Sequence, residues 1–177
     1  MNKQFEKQMK ELLNEEFADF IKALSFPSIK GFYTNPSKKD VIPYLDKQYI
    51  QPSKVVKNGY YFDYQQYPLG KSPFFHCGAF YIQEPSAMLV AHFLNVKQDD
   101  YVLDMCGAPG GKTCAIASQL SNNGLMITND IVPLRAKILS ENVERFGLKN
   151  TIVTNCDPLS FPKILPQFFD KIILDAP

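Results

Sequence analysis

The sequence contains only two histidines and four cysteines, Cys77, Cys106, Cys114 and Cys156, and no two of the cysteines stand in Cys-x-x-Cys spacing. Such a set is too poor in ligands for a zinc site, so no metal is expected and the thiols are read as reduced. Nowhere do eighteen uncharged apolar residues follow one another, which leaves no stretch suited to cross a membrane as a helix. The opening run Met1-Asn2-Lys3-Gln4-Phe5-Glu6 lacks the apolar core of a signal peptide, and the expectation is a cytoplasmic protein. Arginine is missing ahead of Arg135, so the N-terminal half has no guanidinium fork for bidentate contact with phosphate. A formal net charge of +1 gives no global attraction for a polyanion.

The 177 residues are 45% hydrophobic and 21% charged, enough apolar material for a sizeable core in an ordinary globular chain. Charge is unevenly spread. Residues 22–71 carry eight lysines against three acids, interleaved with Phe32, Tyr33, Tyr44, Tyr49, Tyr60, Tyr61, Phe62, Tyr64 and Tyr67. Lysines can follow phosphates while aromatic rings stack unpaired bases, which suits RNA. A tyrosine-rich small domain with a solvated lysine face explains the same pattern.

Apolar periodicity gives the order of elements. Phe5, Met9, Leu12, Leu13, Phe17, Phe20, Ile21 and Leu24 recur at three- and four-residue steps, giving one helix or two with a packing face, ended by Pro27. Residues 31–78 read as short strands and loops, with a helix near 38–46. An aromatic run at 78–82 leads to a helix opened by Pro85 and running to about Asn95. Beyond it, apolar strands at 101–104, 125–128, 151–154 and 171–174 alternate with a helix from Gly110 through Leu120 and another bounded by Pro133 and Gly147. Leu134, Ile138, Leu139, Val143 and Phe146 form the expected buried stripe of the latter. Strands alternating with helices imply a parallel sheet, in which ligands sit beyond the carboxyl ends of the strands. Asp104, Asp130, Asp157 and Asp175 all fall on that edge.

The stretch Tyr101-Val-Leu-Asp-Met-Cys-Gly-Ala-Pro-Gly-Gly-Lys-Thr113 is the centre of the chain. An apolar strand stops at an acid and turns through Gly107, Pro109, Gly110 and Gly111 into a helix, a bend that brings backbone N–H groups close to a ligand. A phosphate-binding P-loop needs four residues between its glycine and Gly-Lys-Thr, whereas Gly107 to Gly111 leaves three. The dinucleotide fingerprint Gly-x-Gly-x-x-Gly is not met either. Acids at Asp104 and Asp130 around such a bend suit a molecule with a charged amino-acid tail and a ribose diol, as S-adenosylmethionine has. A plain strand-to-helix turn is the alternative.

With these pieces assembled, the chain resembles the RNA 5-methylcytosine methyltransferases of the Nop/Sun family, in particular their bacterial RsmF-like branch acting on 16S ribosomal RNA. The matching pieces are residues 78–88, Asp104 to Thr113, Asp130 with Arg135, Asp157, and the closing Asp175-Ala176-Pro177. Where the family has Arg-x-Asn in its N-terminal part, this chain has Tyr33-Thr34-Asn35. The resemblance implies a Rossmann-like α/β methyltransferase sheet, of which the N-terminal half is present (residues 78–177), preceded by a small α+β, RNA-contacting domain (residues 1–77). It further implies that Cys106, Gly107, Ala108, Pro109, Gly110, Gly111 and Lys112 cradle the methionine end of S-adenosylmethionine. Asp130, with Arg135 beside it, takes the ribose hydroxyls, and Asp157 takes the adenine amino group. Asp175, counted with the cofactor site as well, and Lys112 contact the target cytosine, which must leave its stack.

Methylation at carbon 5 of cytosine needs a thiolate that first adds to carbon 6. In the family that cysteine follows Asp-x-Pro directly or comes from a later motif, and none of the four cysteines here occupies such a position. The expectation is therefore a fragment of a longer enzyme, inactive alone. Two other functions fit the same residues: a methyltransferase of this fold acting on tRNA or protein, and a non-enzymatic RNA-binding module.

Overall fold

The computed structural model describes residues 2–176, so Met1 and Pro177, the last member of the Asp175-Ala176-Pro177 run, lie outside the described residues. Along the chain come α1 (Lys3–Leu13), α2 (Phe17–Ser25), β1 (Lys30–Thr34), β2 (Ile50–Pro52), β3 (Gly59–Phe62), α3 (Pro73–His76), β4 (Phe80–Gln83) and α4 (Pro85–Leu94). There follow β5 (Tyr101–Asp104), α5 (Gly111–Ala117), β6 (Leu125–Asn129), α6 (Pro133–Phe146), β7 (Thr151–Thr154), α7 (Phe161–Ile164) and β8 (Lys171–Ile173). These make two sheets: an antiparallel one in the order β2-β3-β1-β4 and a parallel one in the order β7-β6-β5-β8. The α/β, Rossmann-like expectation for the second half of the chain holds. Strand β4 lies beyond the 77/78 division drawn from the sequence, and it pairs with β1.

Period-two alternation in the aromatic strands builds two layers from one sheet. Phe32 packs with Val41, Leu45, Leu69 and Phe80 on one face, its ring 5.2 Å from those of both Tyr60 and Phe80. Tyr33 and Tyr81, opposite each other in register, face the other way and join Met88 and Ala91 of α4 and the buried face of α5. That second cluster continues into Val102 and Met126 of the parallel sheet. Helices α4 and α5 thus form a shared apolar layer between the two sheets.

Several sequence expectations are corrected. No helix spans 38–46: a single 3-10 turn at Ile42–Tyr44 stands there, followed by another at Lys47–Tyr49. Asp40 accepts from the Ile42 amide and Asp46 from the Gln48 amide, so carboxylates capture the donors a helix would need. Helix α5 ends at Ala117, short of Leu120, because the side chains of Ser118 and Gln119 both donate to the Ala115 carbonyl. On α6 the buried stripe is Ala136, Leu139, Val143 and Phe146, whereas Leu134 and Ile138 are exposed. Along α1 and α2 the Phe5 and Phe17 rings lie 6.3 and 6.4 Å from that of Phe20, and neither helix has a fully buried residue. Among the described residues no helix is long and apolar enough to cross a membrane.

Candidate active site

Because β5, β6, β7 and β8 run parallel, the acids that follow them arrive at one edge of the sheet. Asp104 ends β5 and is 2% exposed. Its carboxylate accepts from Thr113 Oγ1 at 2.7 Å, which fastens the strand end to the first turn of α5. Burial pushes the Asp104 pKa up, and Thr113, the Cys106 amide and the Lys112 ammonium each pull it back.

Between Asp104 and α5 the bend is fixed by its carbonyls. Arg135 donates to Ala108 O at 3.0 Å, and Pro109 O accepts from Asn142 Nδ2 at 2.8 Å and from the Tyr81 hydroxyl at 3.2 Å. Burial drives the Tyr81 phenol up to about 12, so it remains a donor at neutral pH. A trans peptide aims its N–H opposite to its C=O, so holding Pro109 O turns the Gly110 amide away from Tyr81 and Asn142. Gly107 is required by space alone: a Cβ there would stand 2.0 Å from Thr128 Oγ1 and 2.9 Å from Thr113 Oγ1.

Asp104, Cys106, Gly107, Ala108, Pro109, Gly111, Lys112 and Asp175 line one hollow together with Tyr81, Ile82, Gln83 and Ala87. Across it Lys112 Nζ lies 2.5 Å from Asp175 Oδ2. Asp130 is 3% exposed, accepts from the Val132 amide at 3.0 Å and pairs with Arg135 Nε at 3.3 Å. Asp130 and Arg135 therefore sit behind the bend, outside the lining of that hollow. Asp157 is exposed and caps the turn Pro158–Ser160 through the Leu159 amide at 2.9 Å. The strand-end acids share an edge, but only Asp104 and Asp175 share the hollow.

Neither Cys106 nor Cys114 is primed for attack. Burial raises the Cys106 pKa, and the negative charges of Asp104, Asp130 and Asp175 raise it further against a smaller opposing effect of Arg135. Cys114 is fully buried and pushed up to about 12. Among the described residues no group of three or more His, Cys, Asp or Glu side chains could hold a metal ion.

Two family models divide the chain between them. Residues 91–177 match the model described as 16S rRNA methyltransferase RsmB/F, and residues 1–85 match the N-terminal domain of 16S rRNA methyltransferase RsmF. The ribosomal RNA small subunit methyltransferase F of Vibrio cholerae serotype O1 is 36% identical over 92% of this chain. The chain belongs to the RsmF-like branch of the Nop/Sun family. That of Vibrio parahaemolyticus is also 36% identical, over 93% of the chain. The RsmF-like chain spans 36% of the length of each of these two relatives. A methyltransferase homologue from Pyrococcus horikoshii superimposes with a TM-score of 0.85 at 31% identity, covering 100% of this chain and 59% of its own. NSun6 from Pyrococcus horikoshii, solved with SFG, has the same fold with a TM-score of 0.86 at 23% identity, covering 99% of this chain and 70% of its own.

Tyr81 and Gln83 line the hollow and Thr113 braces Asp104, three site residues that the RsmF-like sequence does not single out. The signal for Thr113 was present, since it closes the motif that begins at Asp104. For Tyr81 and Gln83 the signals are their place in the matching run 78–88 and their spacing of two on a strand, which puts both on one face.

Proposed function

We propose that the protein belongs to a cytoplasmic, S-adenosylmethionine-dependent enzyme that methylates carbon 5 of a cytosine in 16S ribosomal RNA. The observation that carries this reading is the hollow in which the Asp104–Lys112 bend faces the Lys112–Asp175 ion pair. Its polar lining combines buried carboxylate, backbone and ammonium, a donor set that fits a zwitterionic amino-acid tail attached to a nucleoside. S-adenosylmethionine, when bound, supplies an electrophilic methyl group on a sulfonium centre.

The residues divide the work as follows. The backbone of Cys106, Gly107, Ala108, Pro109, Gly110, Gly111 and Lys112 receives the methionine end. Asp130, held in orientation by Arg135, accepts from the ribose hydroxyls, and Asp157 accepts from the adenine amino group. Asp175 and Lys112 face the unstacked base: the carboxylate suits the N4 amino donor of cytosine and the ammonium suits its acceptor atoms. Cys106, with its raised pKa, does not serve as the attacking thiolate.

The antiparallel sheet and its flanking loops form the RNA-contacting part, and the parallel sheet forms the cofactor half. Support for the first role comes from lysines poised over exposed rings, Lys39 at 5.6 Å from the Tyr44 ring and Lys30 at 6.0 Å from that of Tyr64. Lys38 is unavailable to phosphate, since its ammonium is engaged by the carbonyls of Cys77 and Arg145.

The test is transfer of labelled methyl from S-adenosylmethionine to 16S ribosomal RNA by the full-length protein, followed by nucleoside analysis. Label recovered in 5-methylcytidine supports the proposal. Label in another nucleoside or in protein, or no transfer, contradicts it.

A further inference from the structure

The side-chain amide of Gln83 is anomalous. Both Oε1 and Nε2 are closed off from solvent and neither has a hydrogen-bond partner, although a buried amide in a folded protein is nearly always paired. Gln83 also lines the candidate active site, in the same hollow as Asp104, Gly107 and Lys112.

Its place there is built in. Gln83 is the last residue of β4, opposite Gly31 in register and two residues after Tyr81, so strand alternation sends both side chains toward α5. The amide lies against the bend: a Cβ on Gly111 would come 2.6 Å from Gln83 Oε1 and 3.1 Å from Tyr81 Cε1. Glycine at position 111 is thus what lets this amide reach the backbone that cradles the ligand.

We propose that Gln83 holds the α-amino-acid head of the cofactor, its carbonyl oxygen accepting from the ammonium and its NH2 donating to the carboxylate. The inference rests on the S-adenosylmethionine reading above. A primary amide carries one donor group and one acceptor group side by side, as an ammonium next to a carboxylate requires. Its neutrality matters too, because a carboxylate in its place would add a charge to a hollow that already contains Asp104 and Asp175. Contact with Gly111 sets Gln83 at the bend, and the Lys112–Asp175 pair is left to face the base.

Two ligands separate this role from a purely structural one. S-adenosylhomocysteine has the amino-acid head, and 5′-methylthioadenosine has the same nucleoside and sulfur without it. Titration calorimetry on the full-length protein, wild type and the near-isosteric Gln83→Met, is expected to show S-adenosylhomocysteine weakened by at least about tenfold and 5′-methylthioadenosine by less than about twofold. Equal weakening of both ligands, or S-adenosylhomocysteine affinity unchanged in Gln83→Met, overturns the role of Gln83 and leaves the cofactor reading intact. Failure of the wild-type protein to bind either ligand overturns the cofactor reading itself, and this inference with it. Gln83→Ala, read in the same way, covers the case in which the methionine variant does not fold.

Discussion

Asn35 Nδ2 donates to the carbonyl of Phe146 at 2.6 Å and to that of Gly78 at 3.0 Å, a contact 3% exposed to solvent that fastens the antiparallel sheet to the last turn of α6. The final carbonyls of a helix have no donors of their own, and here the residue just after β1 supplies one. Lys38 adds the Arg145 carbonyl to the same junction. At its other end α6 carries Arg135 against the bend, so the small sheet and the candidate site are braced by one helix. Asn35→Ala leaves two buried carbonyls short of a donor and is expected to cost about 2–3 kcal/mol in urea unfolding. A loss below about 0.5 kcal/mol contradicts this account of the junction.

Gly78 reports on the same joint. It has a φ of +70°, and an added Cβ would stand 1.9 Å from the Arg145 carbonyl oxygen. Gly78→Ala therefore combines backbone strain with a clash against main chain, and is expected to destabilise by more than about 2 kcal/mol. Thermal melts give the measurement. A melting temperature equal to that of the wild type would show that α6 does not approach this closely.

Much of this fold is legible in the sequence, and the places where it is not have local causes. Pro133 and Gly147 bound α6 as expected, because a proline in the first turn and a left-handed glycine past the last one act on the backbone directly. Of the stripe expected on α6, Leu139, Val143 and Phe146 are buried and Leu134 and Ile138 are exposed. Hydrophobicity alone cannot separate Leu134 and Ile138 from Leu139 and Val143, and only the sheet decides which side is covered. The helix expected near 38–46 does not form, because the Asp40 and Asp46 carboxylates offer the backbone partners in the turns. Strand alternation puts Gln83 on the same face as Tyr81, but that its amide is left without partners depends on how β4 meets the bend.

Lys112 and Asp175 form a partly exposed ion pair, with the Asp175 side chain 58% exposed, so the pair contributes little to stability. In the proposed function the pair faces the base. On the proposed function, Lys112→Met in the full-length protein is expected to lower turnover by at least about tenfold while moving the melting temperature by no more than about 2 °C. Unchanged turnover removes Lys112 from the reaction.

Asp104 ties folding to pH. Its pKa in the folded protein lies above the ordinary 3.8, so the folded state holds that proton more tightly than the unfolded chain. The stabilising contribution from this group is full below 3.8 and is lost as pH rises through the raised folded value. Asp104→Asn is expected to remove that dependence, so the difference in unfolding free energy between variant and wild type changes across the acid range. A difference constant with pH shows that the carboxyl titrates normally.

The cofactor site itself is tested most directly by calorimetric titration of S-adenosylhomocysteine into full-length wild type and Asp130→Ala. Asp130 is buried beside the bend with Arg135 at 3.3 Å, and if it accepts from the ribose diol as proposed, its removal weakens binding by at least about tenfold. An affinity within about twofold of the wild type, in a variant that melts normally, contradicts the assignment of this sheet edge to an adenosyl cofactor.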